Sequence, residues 1–286
     1  MKLAILSDVH ANLEALRATL QAIATQDVDR IVCLGDIVGY HADPEACVAL
    51  IRESGALCVV GSHDRAAAGL ITTEGFSATA ALAADWTSRQ LDAETLDYLA
   101  SLPLQLTLED HLVAVHGALL PGGGCDTTRL NNEARRRVSF DALAAHPSGA
   151  RACAFGHTHD LGVYEFQDGT ERILSGDQVQ LRGDALYLIN PGNVGQPRGI
   201  RDRRATYMTF DTDRQTVAIH RVAYEFTAPL AKARRAGLMP GYSGLPAPLR
   251  AALKWSTRNL GIYGLAKKLA QSRQRRRRES GESSRG

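Results

Sequence analysis

The fold of this chain is decided by one short stretch at its start, Lys2-Leu3-Ala4-Ile5-Leu6-Ser7-Asp8-Val9-His10. The run from Lys2 to Leu6 is short and apolar, which predicts a buried strand, whereas the residues from Ser7 to His10 include three polar side chains. Polar residues that directly follow a strand are typical of open α/β sheets, in which ligands bind at the carboxyl ends of the strands. The stretch therefore predicts both the fold class and the place of a site.

The residues that follow continue a β-α-β-α-β pattern. Asn12 can cap a helix whose apolar face uses Leu13, Leu16, Leu20 and Ile23 at helical spacing. We expect a strand over 31–34, a helix over 44–53 with Pro44 in its first turn, and a strand over 57–60. This alternation predicts a sheet with crossover helices.

The second half of the sequence is rich in predicted strands. We expect helices over 75–102 and near 135–145, a hairpin of 104–108 with 112–115, and strands over 152–155, 162–166, 185–189, 205–210 and 216–222. Turns such as Gln167-Asp168-Gly169 separate some of these strands, which indicates antiparallel pairing. We therefore predict one α/β domain of two packed sheets with helices outside.

Composition and charge place the chain among globular proteins and suggest three segments. It has 286 residues, of which 44% are hydrophobic and 22% charged, and this excludes a fibrous or wholly disordered chain. We predict a main domain over 1–225, a helical extension over 226–271 with a last helix over 248–271, and a basic, disordered tail over 272–286. Residues 265–286 include eight basic and two acidic side chains. This positive charge is typical of contact with nucleic acid or with an anionic membrane, and the extension could instead contact a second subunit.

The cysteines and the first residues favour the cytoplasm. Five cysteines without a CxxC pair predict buried free thiols rather than a disulfide framework. The apolar run at the start is too short for a secretory signal, and no run approaches the roughly 18 apolar residues of a membrane-spanning helix.

Aspartate and histidine concentrate just after the predicted strands. One histidine at a strand end is usually structural, but several such strand ends together indicate a metal site, since carboxylate and imidazole suit manganese, iron, zinc or nickel. Five of the nine histidines belong to this set. The candidates are Asp8, His10, Asp36, His63, Asp64, His116, His157 and His159.

These residues form five sequence blocks in which the chain resembles the calcineurin-like metallophosphoesterases. The family pattern reads DxH, GDxxG, GNH(D/E), (V/L)HG and GHxH. The blocks here are Asp8-Val9-His10, Gly35-Asp36-Ile37-Val38-Gly39, Gly61-Ser62-His63-Asp64, Val115-His116-Gly117 and Gly156-His157-Thr158-His159. The resemblance covers residues 1–225, and the segment 190–198 is similar to the NPGSVGQPR segment of small bacterial phosphodiesterases of YfcE type.

The resemblance implies an α/β four-layer sandwich with a dinuclear metal site. In that family pattern Asp8, His10 and His159 bind one metal, His116 and His157 bind the other, and Asp36 bridges both. His63 stabilises or protonates the leaving-group oxygen, and Asp64 orients His63 through its other nitrogen. A hydroxide held by the metals, manganese before iron, zinc or nickel, attacks phosphorus in line without a covalent enzyme intermediate.

Ser62 departs from the pattern, because the family has asparagine at this position as a ligand of the second metal. A serine hydroxyl is shorter and is a poor neutral ligand. One interpretation is that the replacement arose by neutral drift and that a water molecule takes the place of the missing ligand. The other is an impaired second metal, either engineered to trap a ligand or evolved toward a non-catalytic role.

Three residues are candidates for contact with the substrate. His41 lies in a loop expected at the rim of the pocket, and Asn193 and Arg198 lie in a turn expected to face the phosphate. Asn12 is predicted chiefly to cap a helix, with a place near the site as the alternative.

The leading interpretation is a cytoplasmic, metal-dependent phosphoesterase, more a phosphodiesterase than a monoesterase, acting on a phosphate-ester substrate. Two alternatives stay open: a non-catalytic binding or scaffold protein on the same fold, and a nuclease or end-processing phosphatase recruited to nucleic acid by the tail. Ser62 is the feature that favours a scaffold, and the retained histidines and aspartates argue against it.

Overall fold

Two six-stranded sheets form the centre of the molecule in a computed structural model, which describes residues 1–196 and 202–239. In chain order the strands are β1 (Lys2–Leu6), β2 (Arg30–Cys33), β3 (Leu57–Cys58), β4 (Gln105–Leu108), β5 (Leu112–Val115), β6 (Ala118–Leu120), β7 (Gly124–Asp126), β8 (Ala152–Ala154), β9 (Gly162–Gln167), β10 (Thr170–Leu174), β11 (Gln178–Gln180), β12 (Leu186–Asn190), β13 (Ala205–Asp211) and β14 (Thr216–Val222). The helices are α1 (Leu13–Ile23), α2 (Pro44–Glu53), α3 (Ser62–Ala67), α4 (Ala78–Ser88), α5 (Ala93–Ser101), α6 (Glu133–Ala144) and α7 (Thr227–Arg235).

Both sheets combine parallel and antiparallel pairs. The first has the strand order β11-β14-β13-β1-β2-β3, with β1, β2 and β3 parallel to one another. The second has the order β10-β9-β12-β8-β5-β4, with β5, β8 and β12 parallel. Because the carboxyl ends of parallel strands lie at one edge of a sheet, the loops after β1, β2, β3, β5 and β8 are brought to the edges where ligands bind in α/β proteins.

Strand alternation explains why the sheets stack with helices on their outer faces. In β1, Leu3 and Ile5 face the core between the sheets, whereas Ala4 and Leu6 face the core beneath the helices. Residues of α1, α2 and α5 complete that helix-side core, and Phe140 of α6 packs against the outer face of the second sheet. The layers are therefore helix, sheet, sheet and helix, and the predicted four-layer α/β sandwich is confirmed.

The predicted elements agree with the structure apart from a few segments. The stretch that follows β3 forms the short helix α3 rather than a loop, and the segment around Pro121 to Gly124 contributes to the small β6-β7 hairpin. Strands β10 and β11 were not predicted, because their mixed polar sequences carry no clear alternation. The predicted helix over 248–271 and the tail over 272–286 lie outside the described residues.

The cysteines and the helices of the described region bear on two further predictions. All five cysteines are free, and four of them are buried, as expected, while Cys125 is partly exposed. Over 1–196 and 202–239, the helices are all too short or too polar to cross a bilayer.

Candidate metal centre

Five of the predicted ligands occupy a backbone conformation that L-residues seldom adopt. Positive φ angles are found at Asp8 (56°), His10 (51°), Asp36 (52°), His157 (63°) and His159 (62°). Such residues persist only where surrounding contacts hold them, and they concentrate at functional sites. Here the amide of Asp8 donates to the carbonyl of Gly35 at 3.1 Å, and the amide of His10 donates to that of Asp36 at 2.9 Å. The loops after β1 and β2 therefore fix each other.

Two glycines allow the ligand loops to approach closely. A Cβ atom at Gly61 would collide with the backbone nitrogen of Asp36, and one at Gly156 would collide with the hydroxyl of Ser7 and lie 2.9 Å from Oδ2 of Asp8. Glycine is required at these positions by the space available and not by its φ angle, since neither φ is positive. The glycines of the sequence blocks thus bring neighbouring loops into contact.

One group of candidate ligands consists of Asp8, His10 and His159. Nε2 of His159 lies 3.1 Å from Oδ1 of Asp8, and Nε2 of His10 lies 3.6 Å from the same oxygen. The other carboxylate oxygen of Asp8 accepts hydrogen bonds from the hydroxyl of Ser7 at 2.7 Å and from the amide of His157 at 3.1 Å. Oδ1 is buried and has no hydrogen-bond partner among the described residues, so it is free to accept a cation.

A second group consists of Asp36, His116 and His157. Nε2 of His116 lies 3.2 Å from Oδ2 of Asp36 and 3.2 Å from Nδ1 of His157. Oδ2 of Asp36 is also 3.8 Å from Nε2 of His10, which belongs to the first group. Asp36 therefore lies between the two groups.

The second nitrogen of three histidines fixes their tautomers. Nδ1 faces a backbone carbonyl in His10 (Val38, 3.3 Å), in His116 (Leu34, 2.7 Å) and in His159 (Gln196, 3.0 Å). A carbonyl can only accept, so each Nδ1 carries a proton, and Nε2 presents a lone pair whenever the ring is neutral.

These lone pairs converge in a way that fits divalent cations. The Nε2 atoms of His10 and His159 lie 3.2 Å apart and both face Oδ1 of Asp8. Acceptors at this separation repel one another unless a proton or a cation lies between them. Buried carboxylate and imidazole donors, each oriented by a carbonyl, are the arrangement expected around a transition metal.

Burial and neighbouring groups shift the pKa values of Asp8 and Asp64 in opposite directions. Burial opposes ionisation of Asp8, but His159 and His10 hold the pKa of Asp8 well below its ordinary value. Burial, followed by the charge of Asp36, raises the pKa of Asp64 to about 7. Asp8 is thus held as a carboxylate, whereas Asp64 takes up a proton more readily than an ordinary aspartate.

Asp64 makes other contacts than those predicted for it. Its two carboxylate oxygens accept from the amides of Val38 at 3.0 Å and Gly61 at 2.9 Å. Nδ1 of His63 is buried without a hydrogen-bond partner in the described part of the chain, so the expected Asp64–His63 pair is not formed. Asp64 instead ties the loop after β2 to the start of α3, because its side chain caps that helix start.

Ser62 and His63 both contact Asp36. The hydroxyl of Ser62 lies 3.5 Å from each carboxylate oxygen of Asp36, and the amide of His63 donates to Oδ1 of Asp36 at 2.7 Å. The replaced position of the family pattern is therefore at the edge of the second group.

Two of the three residues predicted to contact substrate, His41 and Asn193, have structural partners. His41 was expected at the rim, but it is buried, and its Nδ1 lies 3.0 Å from the carbonyl of His10. The side-chain oxygen of Asn193 accepts a hydrogen bond from the amide of Gln196 at 3.0 Å, which closes the turn between these two residues. Asn12 caps α1 through the amide of Ala15. Arg198 lies outside the described residues.

Two aromatic residues near His63 were not identified from the sequence. The ring of Tyr40 lies 4.7 Å from that of His10 and 4.6 Å from that of His63, and the ring of Phe76 lies 5.2 Å from that of His63. Tyr40 adjoins the GDxxG block and its position was a usable signal, whereas Phe76 lies in a loop with no motif.

Comparison with known proteins agrees with this geometry. The sequence profile of the calcineurin-like phosphoesterase superfamily domain matches residues 1–215, the part of the chain that supplies every predicted ligand. The chain belongs to the calcineurin-like phosphoesterase superfamily. Membership implies a divalent-metal-dependent phosphoester hydrolase, and the two residue groups are candidate metal ligands for that chemistry.

Three proteins illustrate what this superfamily member is similar to. An uncharacterized protein of Methanocaldococcus jannaschii is 33% identical over 239 residues, which cover 78% of this chain and 88% of that protein. A metallophosphoesterase of Sphaerobacter thermophilus has a crystal structure that is similar with a TM-score of 0.69 and 36% identity, over 84% of this chain and 95% of that one. A hypothetical protein of Pyrococcus horikoshii shares the fold, with a TM-score of 0.64 and 16% identity over 83% of this chain and 94% of that one.

Proposed function

We propose that this superfamily member hydrolyses phosphodiesters at a site for two divalent cations. The observation that carries the proposal is the position of Asp36, whose Oδ2 lies 3.2 Å from Nε2 of His116 and 3.8 Å from Nε2 of His10. One carboxylate between two groups of convergent donors is what a shared ligand of two metals requires.

Bound cations would supply charge stabilisation for the phosphoryl oxygens and lower the pKa of a water. The residues of the chain hold the donors in place for this task. Asp8, His10 and His159 serve one cation, and Asp36, His116 and His157 serve the other, with Asp36 shared. The amide of His63, at 2.7 Å from Oδ1 of Asp36, keeps the shared carboxylate oriented.

We assign to His63 the contact with the leaving-group oxygen. Its ring lies 4.9 Å from that of His10 and is enclosed by Tyr40 and Phe76. This enclosure excludes water from one side of the site and gives an organic leaving group an aromatic wall. The wall favours an aromatic or nucleoside leaving group over a small aliphatic one.

Manganese and a cytoplasmic location belong to the same proposal. Mixed carboxylate and imidazole donors suit manganese, with iron, zinc and nickel as alternatives. Free cysteines are consistent with a reducing compartment. We also propose that 1–225 forms the catalytic domain, 226–271 a helical extension and 272–286 a basic tail.

The test is a paired measurement of bound metal and hydrolysis. Purified protein is loaded with manganese, and metal per chain is determined together with turnover of bis(p-nitrophenyl) phosphate and p-nitrophenyl phosphate. We expect close to two metals per chain, or one if Ser62 impairs the second position, and faster turnover of the diester. Asp36→Asn is expected to lose at least about 100-fold in kcat/KM together with metal.

Asp97→Asn is the matched control, because Asp97 is an exposed carboxylate of α5 with no part in either group. It is expected to retain metal and activity. Faster hydrolysis of the monoester would contradict the diesterase assignment. Absence of both metal and turnover in the unaltered chain would contradict an enzyme and leave the scaffold alternative.

A further inference from the structure

The site opens to solvent beside one of its predicted ligands. Asp8, His10, Asp36, Ser62, His116 and His159 are all buried, whereas His157 is partly exposed. His63, on another side, is buried against Tyr40 and Phe76. A substrate phosphate therefore has access to the centre along the side of His157.

An arginine of the loop between β7 and α6 lies on this side. Nη2 of Arg129 donates a hydrogen bond to the backbone carbonyl of His157 at 3.1 Å. A guanidinium has five N–H donors, and this is the single hydrogen bond of the Arg129 side chain to the described residues. No carboxylate pairs with it there, so its remaining donors are available to an anion.

The backbone that presents Arg129 is held at that residue and at the next one, Leu130. The carbonyl of Arg129 accepts from Nη1 of Arg135 at 3.2 Å, and the carbonyl of Leu130 accepts from Nη1 of Arg136 at 3.3 Å. Leu130 is buried in the core beneath α6. Arg136 is itself fixed by Glu171, whose Oε1 lies 2.9 Å from Nε and 2.5 Å from Nη2.

Because the backbone of Arg129 is held in place, its guanidinium group loses little freedom when an anion binds. Side-chain ordering is one of the costs of association, and a pinned loop reduces that cost before the substrate arrives. Arginine also pairs with two phosphate oxygens at once, which fixes the orientation of the phosphate as well as its position.

We propose that Arg129 binds a phosphate oxygen of the substrate at the His157 side of the site. The proposal rests on the proposed function for the identity of the substrate as a phosphate ester. It adds a substrate-binding residue outside the five sequence blocks, supplied by the loop before α6. Inorganic phosphate contains the same oxygens and is therefore a sufficient probe.

The experiment compares Arg129→Gln and Arg129→Lys with Arg30→Gln. Arg30 is exposed at the start of β2, at the opposite end of that strand from Asp36, and controls for the loss of one positive charge. Binding of inorganic phosphate to the manganese-loaded proteins is measured by calorimetry, together with KM and kcat for the aryl diester. For Arg129→Gln we expect phosphate affinity to fall and KM to rise by about 10- to 100-fold. Arg129→Lys should be intermediate, and Arg30→Gln unchanged.

A purely structural role for Arg129 gives a different result. If the side chain only held the carbonyl of His157, Arg129→Gln would weaken manganese binding and leave the phosphate affinity of the fully loaded protein unchanged. That result would overturn the proposal, as would a loaded, unaltered protein that does not bind phosphate.

The outcomes also separate this proposal from the proposed function. If the unaltered protein hydrolyses the diester and Arg129→Gln has the same KM and phosphate affinity, the assignment of Arg129 is wrong and the activity stands. If phosphate binds, is lost in Arg129→Gln, and no ester is hydrolysed, the assignment of Arg129 stands and the activity is wrong.

Discussion

Ser62 occupies the position at which this chain differs from the sequence blocks of its superfamily. Its hydroxyl lies 3.5 Å from both oxygens of Asp36, close enough to the second group to influence it. The next residue, His63, matches the family pattern, and its amide donates to Asp36 at 2.7 Å. A neutral hydroxyl contributes little to a divalent cation, so the expected effect of Ser62 is on the affinity of the second metal.

Replacing this residue with the family's side chain tests that expectation. Ser62→Asn should bind the second manganese about 10- to 100-fold more tightly and raise kcat/KM for the diester, because an amide oxygen replaces a weaker donor. Manganese titration and turnover are compared with those of Ser101→Asn, an exposed serine at the end of α5. If the unaltered chain already holds two metals firmly and Ser62→Asn behaves identically, Ser62 is a neutral replacement completed by water.

At the scale of elements, α7 fastens the last described residues to α1 and to the residue that precedes α2. Nζ of Lys232 lies 2.7 Å from Oε1 of Glu14 in α1 and 2.8 Å from Oδ2 of Asp43, which precedes α2. Ala233 of the same helix is buried in a small cluster with Ala83 of α4. The helix therefore joins α1, α2 and α4, and Asp43 lies two residues after His41, whose ring supports His10.

Removal of the Lys232 ammonium should loosen this connection. Lys232→Met keeps most of the aliphatic stem but leaves two carboxylates without their shared cation. We expect the free energy of unfolding to fall by about 1–2 kcal/mol, since all three side chains are only partly exposed. Urea unfolding is compared with that of Arg234→Met, an exposed arginine of α7. Equal midpoints for the two variants would contradict the role of Lys232.

At the scale of the whole molecule, the two sheets bring together donors from distant parts of the chain. His10 and His159 are 149 residues apart in sequence, yet their Nε2 atoms are 3.2 Å apart. Unfolding separates these donors, so a cation that binds them binds the folded chain and hardly the unfolded one. Metal binding and global stability are therefore linked.

This linkage predicts a stabilisation by manganese. At a free concentration 100 times the dissociation constant, one bound metal should add about 2.7 kcal/mol. For a chain of this size, that corresponds to a rise of roughly 5–10 °C in Tm over metal-stripped protein. Calorimetry of Asp36→Asn should show a much smaller rise, and Asp97→Asn should show the full one. A Tm that does not depend on manganese in the unaltered chain would contradict the predicted site.

For the whole molecule, the role of residues 240–286 stays a prediction. The structure describes the extension as far as residue 239, and the basic tail over 272–286 lies beyond it. Contact of that tail with nucleic acid or an anionic membrane would depend strongly on salt concentration. All residues of both metal groups come from the first 159 positions, within the described part of the chain.

The sequence by itself determined the fold class and the position of the candidate ligands along the chain. Apolar runs that are followed by aspartate or histidine within two residues, as after Leu6 and Val115, depend only on local spacing. The continuous apolar run of β1 was enough to predict a buried strand, and Asn12 was correctly predicted as a helix cap. These features involve residues close in sequence, for which geometry follows from the period of the element.

Only the tertiary structure decided which side chains meet. It placed His157 beside His116 and His159 beside Asp8, although the two histidines are two residues apart. It directed Asp64 to two amides rather than to His63, buried His41, and brought Arg129 to the carbonyl of His157. Each contact joins loops from different strands, so its distance depends on how the sheets twist and pack together. No periodicity within a single element contains that information.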